Sequence, residues 1–118
     1  MEIGSIGTAD MMVTASDTAI AMRSGDVEVV GTPRLVALAE EATLAAVAVA
    51  AGQTSVGTRI ELDHLLPSRI GQRLTATARL DEQLDRDLHF SIEILDGNDL
   101  VARGLVTRVV VDRNRFAR

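Results

Sequence analysis

The chain has 118 residues, of which 17 are acidic and 12 basic, giving a formal charge of −5, with no cysteine, two histidines and two phenylalanines. That length suits one domain over residues 1–118, and the composition excludes disulfide frameworks and thiolate metal sites; two histidines leave no protein-built metal centre to be expected. The acidic balance and the scarcity of stacking rings argue against a nucleic-acid binder, which needs a basic surface. The N-terminus carries neither a basic n-region nor an apolar run, so a cytoplasmic location is the expectation.

In chain order, "MMVTAS" and "VEVV" are short strand candidates, separated by "RSGD" at Arg23–Asp26, the one linker-like segment. A helix follows, predicted over Pro33–Ala51, with Thr32 as N-cap, Pro33 at the first helical position and Gly52 as C-terminal stop. Its part from Ala42 to Ala51 is apolar except for Thr43, yet it is too short and too rich in alanine to span a membrane, and it begins beside Glu40 and Glu41. A buried core helix is expected, and no membrane partner.

After Gly52 the period changes to two. Val56, Thr58, Ile60, Leu62 and His64 alternate with Gly57, Arg59, Glu61 and Asp63, which predicts a half-buried strand with His64 on its inner face. "RLTATARL" places Leu74, Ala76, Ala78 and Leu80 inside, and "LHFSIEIL" places Leu88, Phe90, Ile92 and Ile94 inside with His89, Ser91 and Glu93 outside. A turn at Asp96–Asp99 leads into "LVARGLVTRVVVD". Strands joined by short connections form an antiparallel sheet, and the single apolar helix is available to cover one face. The fold class is α+β, an antiparallel sheet wrapped around one long helix.

Four features stand in order along the chain: Thr32 eight residues before the helical Glu40, the Ser-X-Gly-Thr turn containing Gly57, His64 seven residues beyond that glycine, and Gly71 leading a later strand. On these the chain resembles the hotdog-fold thioesterases of the fluoroacetyl-CoA thioesterase type, over roughly Met11 to Phe116. The resemblance implies a homodimer of hotdog domains that hydrolyses an acyl-CoA thioester, with coenzyme A as part of the substrate and no separate cofactor. It implies that Thr32, Glu40 and His64 form the catalytic set, that Gly57 lies at the acyl carbonyl in an oxyanion site, and that the site is at or near the dimer interface.

The residues can also be weighed on their own. His89 shares a polar face with Ser91 and Glu93 and reads as a solvated, dispensable histidine. His64 shares a face with Ile60 and Leu62, where an imidazole needs a hydrogen-bond partner; alone it reads as a satisfied core histidine, and with the resemblance as a catalytic one. Helical spacing does not separate Glu40, near Val36, Leu44 and Val47, from Glu41, near Ala37, Leu38, Ala45 and Ala48. The resemblance, in which Glu40 occupies the matching position eight residues after Thr32, implies Glu40 for chemistry and leaves Glu41 to a structural contact, for example with an arginine. Thr32 reads equally as a helix cap, and eight helical residues rise about 12 Å, too far for Thr32 and Glu40 to share a hydrogen bond.

Thioester chemistry fits these residue types, because the thiolate leaves easily and the demanding steps are making a nucleophile and holding the oxyanion. Glu40 would act as general base on water, or as a nucleophile forming an anhydride; His64 would orient it or assist the leaving group; Thr32 would position substrate or water; the Gly57 N–H would meet the oxyanion. The segment "MRSGDVEVV" contains no aromatic residue where the fluoroacetyl-specific enzyme has a phenylalanine-lined gate, which argues against fluoroacetyl selectivity. Every cation is arginine, suited to phosphate, and Arg69, Arg73, Arg113 and Arg115 are candidates for coenzyme A by position alone. The alternative expectation is an acyl-CoA-binding sensor or carrier that does not turn over.

Overall fold

The computed structural model describes residues 1–116. In chain order it contains β1 (Ile6–Met12), a single 3-10 turn at Ala15–Asp17, α1 (Ala19–Met22), α2 (Thr32–Ala46), β2 (Gln53–His64), β3 (Arg73–Leu84), β4 (Asp87–Asp96), β5 (Asp99–Asp112) and α3 (Arg113–Phe116). The strands form one five-stranded sheet in the order β1-β3-β4-β5-β2, and each neighbouring pair is antiparallel. The helix α2 lies on one face of this sheet, so the expected helix wrapped by an antiparallel sheet is what forms.

The alternation in β3 and β4 translates directly into burial. Leu74, Ala76, Ala78, Leu80, Leu88, Phe90, Ile92 and Ile94 all face the helix with at most 2% exposure, against Leu35, Leu38, Ala39 and Ala42 of α2. Small residues on both sides let helix and sheet approach closely. At the closest point β1 crosses the C-terminal end of α2, where a Cβ on Gly7 would strike the backbone of Ala42, Ala45 and Ala46.

That crossing explains where the helix stops. It ends at Ala46, five residues short of the predicted Ala51. The Ser5 hydroxyl donates to the Ala46 carbonyl at 2.5 Å, taking up an acceptor the helix end leaves free. Val47 is already extended, and Val47 and Val49 pack half-buried against the core. Gly52 therefore serves the turn into β2 and is not a helix cap. At the other end the cap is Gly31 and not Thr32, which is the first helical residue.

A second correction concerns β2. Gly57 pairs with Arg108 but Arg59 with Thr107, so Thr58 is an extra residue, a β-bulge. The bulge reverses the alternation: Ser55 and Gly57 face the helix before it, and Ile60, Leu62 and His64 after it. Val56 and Thr58, expected inside, are not part of that face. Of the early strand candidates, the first begins at Ile6, earlier than "MMVTAS", and "VEVV" contributes only one bridge, Val30 to Thr18. No helix among the described residues is long and apolar enough to cross a membrane.

Candidate active site

Two polar clusters stand on the helix side of the sheet. The first joins the start of α2 to the end of β2: Thr32 Oγ1 and His64 Nδ1 are 2.7 Å apart, the donor being set by the imidazole tautomer. The hydroxyl that would have capped the helix is thus committed to the histidine. His64 Nε2 is shielded from solvent and has no hydrogen-bond partner among the described residues, so one ring nitrogen is engaged and one is not.

The second cluster surrounds Glu40. Arg108 Nη1 donates to Glu40 Oε2 at 3.2 Å, while Arg108 Nε donates to Ser55 Oγ at 2.9 Å and Nη2 to the Ser55 carbonyl at 2.8 Å. The guanidinium is nearly sealed at 7% side-chain exposure, whereas Glu40 keeps 34%. Directly beneath the carboxylate is Gly57: a Cβ there would collide with Glu40 Oε2. The glycine is required because the carboxylate lies flat on the strand.

The geometry gives the two acids different surroundings. Glu41 is exposed; the arginine contact expected for it belongs to Glu40 instead. Within the chain Thr32 and Glu40 stay two helical turns apart, about 12 Å along the axis. His64 and Gly57 pair with Ala102 and Arg108, six residues apart on β5 and so about 20 Å. Within the chain His64 meets Thr32 and not Glu40.

Arg108 is the member of the Glu40 cluster that sequence reading missed. Its signal was present: an arginine between Val106 and Val110 on the inner face of β5, where a charge needs a partner. Of the four arginines singled out by position, Arg73 pairs with Asp10 at 3.5 Å and Arg115 with Asp112 at 3.9 Å. His89 faces outward as expected but is half-buried, with Nδ1 3.5 Å from Thr107 Oγ1, so it is not freely solvated. The larger clefts, of about 680 and 600 Å³, lie on the opposite face of the sheet and beside α3. No cluster of metal-ligating side chains occurs among the described residues.

An antiparallel sheet curled around one long helix defines a hotdog-fold domain. The chain belongs to the fluoroacetyl-CoA-specific thioesterase family, whose sequence model matches residues 13–114. The crystal structure of the fluoroacetyl-CoA thioesterase FlK superposes with a TM-score of 0.92 at 27% identity, covering 98% of this chain and 92% of that one. A phenylalanine-to-alanine variant of FlK in complex with fluoroacetate and CoA gives 0.89 at 28% identity, covering 98% and 99%. A hot-dog-like protein from Thermanaerovibrio acidaminovorans gives 0.87 at 27% identity, covering 96% and 85%. No curated protein matches significantly.

Proposed function

We propose that the protein hydrolyses an acyl-CoA thioester to the free acid and CoA thiol, with Glu40 as general base, Thr32 and His64 assisting, and Gly57 at the carbonyl. The observation that carries this reading is the setting of Glu40: a carboxylate one-third exposed on a buried helix, laid over a bare glycine. Glu40 takes a proton from water as the water oxygen attacks the acyl carbon, and the carbonyl electron pair moves onto oxygen. Collapse of the adduct restores the carbonyl and breaks the C–S bond. The departing sulfur then receives a proton, from Glu40 or from the Thr32–His64 pair. Nothing beyond water and the thioester is needed, and coenzyme A enters only as part of the substrate.

The working unit we propose is a homodimer joined through β2. That strand ends the sheet order and has a neighbour on one side only, leaving a long row of unpaired backbone groups. The two clusters sit toward opposite ends of its inner face, too far apart to serve one carbonyl within a protomer. Antiparallel pairing of two β2 strands about a two-fold axis near Ile60 would bring Glu40 and Gly57 of one protomer beside the other's Thr32 and His64.

The test is steady-state thiol release from acetyl-, fluoroacetyl-, propionyl- and butyryl-CoA by wild type, Glu40→Gln and His64→Ala. The expected loss of kcat in Glu40→Gln is about 100-fold or more. Full activity in both variants would refute the assigned roles. Tight binding of these esters with no turnover by wild type would make the protein an acyl-CoA sensor or carrier instead.

A further inference from the structure

A guanidinium on the inner face of β5 has no reason in packing. Its neighbours on that face, Val106 and Val110, are buried apolar residues, and an apolar side chain at the same place would avoid desolvating a charge. Arg108 is nevertheless 6% exposed, and among the described residues its side-chain hydrogen bonds reach two, Ser55 and Glu40. Ser55 receives two of them, one on its hydroxyl and one on its carbonyl, and Glu40 receives the third.

We infer that Ser55 is a positioning residue for Glu40, acting through Arg108. Two bonds from one edge of the planar guanidinium, Nε and Nη2, to one residue fix both its place and its plane. Fixed in that way, Nη1 meets one oxygen of the carboxylate, Oε2, the oxygen that also lies against Gly57. The other oxygen, Oε1, makes no hydrogen bond within the described residues and is the one left to take a proton from water. Ser55 is 8% exposed and lies behind the guanidinium, so its effect on the reaction passes through Arg108. This role rests on Glu40 being the base, and the variants below separate the two ideas.

Hydrolysis of the fastest ester in the panel above is measured for Ser55→Ala, Ser55→Thr, Glu40→Gln and the Ser55→Ala/Glu40→Gln double variant, with the melting temperature of each. In Ser55→Ala, kcat is expected to fall about 10- to 100-fold with KM within about twofold, because a base displaced by a fraction of an ångström still binds substrate. Ser55→Thr keeps the hydroxyl and is expected to recover most of that loss. In the double variant the loss equals that of Glu40→Gln alone, since there is no base left to position. Wild-type kcat in Ser55→Ala, a loss that multiplies on top of Glu40→Gln, or a folded Ser55→Thr no better than Ser55→Ala would each overturn the inference. Near-full activity in Glu40→Gln would overturn the parent reading and this role with it. Should Ser55→Ala not fold, Arg108→Lys carries the same test: the charge stays but the planar fork is lost, and an unchanged kcat would overturn the inference.

Discussion

A glycine beneath a carboxylate is the tightest restraint in the site. Any side chain at residue 57 would occupy the space of Glu40 Oε2, so Gly57→Ala is expected to push the carboxylate off the strand. Because Gly57 is exposed on the sheet's edge strand, the variant should keep its melting temperature within a few degrees. Its kcat should fall about 100-fold, the cost of moving a catalytic group by about an ångström. Thr32 is the other residue whose role can be isolated, since its hydroxyl touches His64 and no backbone amide. Thr32→Ser preserves that contact and Thr32→Val removes it, so only the second is expected to lose activity, by about 10-fold or more. Equal activity of the two variants would show that the hydroxyl has no part in the reaction.

At the scale of elements, the position of α2 decides where both clusters fall. Its C-terminal end is set by contact with β1 at Gly7. Gly7→Ala would drive a methyl group into the helix backbone and is expected to cost at least about 2 kcal/mol in urea denaturation. Its N-terminal end is tied to the preceding turn through Asp17. That carboxylate accepts from the Thr14 amide at 2.8 Å and from Arg34 Nε at 3.0 Å, and the Asp17 carbonyl accepts from the Gly31 amide at 2.9 Å. Burial, the largest single influence on Asp17, raises its pKa, but the Thr14 amide and hydroxyl and the Arg34 guanidinium together outweigh it and hold the value below the ordinary 3.8. A carboxyl lowered in the folded state adds stability above its unfolded pKa and loses that contribution as pH falls through the folded value. Wild type is therefore expected to lose stability below about pH 4 more steeply than Asp17→Asn. At pH 7 the variant is expected to be less stable by about 1–3 kcal/mol. Parallel stability curves for the two proteins across that window would contradict this account.

For the whole molecule the question is whether one chain or two complete the site. A mixture of Glu40→Gln and His64→Ala protomers, unfolded and refolded together in equal amounts, separates the cases. If the sites form across a two-fold axis, each hybrid dimer holds one site with both changes and one with neither. Half the dimers are hybrids and half their sites are intact, so about a quarter of wild-type activity returns. If each protomer builds its own site, no activity returns. Light scattering should accompany this and report a particle of twice the 12.6 kDa chain mass. The exposed apolar residues flanking His64, Leu65 and Leu66 at 47% and 43% exposure, are the surface such a pairing would cover.

Much of this protein is legible in its residues. Alternation in "RLTATARL" of β3 and "LHFSIEIL" of β4 is a local property of the chain, and it predicted the buried faces because those segments are covered on one side only. The spacing of Thr32, Glu40, Gly57 and His64 carried the family. What it could not carry was decided by contacts between segments distant in sequence. The helix stops at Ala46 because β1 crosses it, and an unbroken apolar run contains no mark of that crossing. The bulge at Thr58 moves Ser55 and Gly57 to the inner face, and a period-two pattern has no means of showing one extra residue. Arg108 becomes Glu40's partner across 68 residues of chain, where sequence shows only a charge on an apolar face. Local periodicity thus determined the elements and their buried sides. Only the tertiary structure decided which hydroxyl, guanidinium and carboxylate meet, because those meetings depend on how whole elements cross.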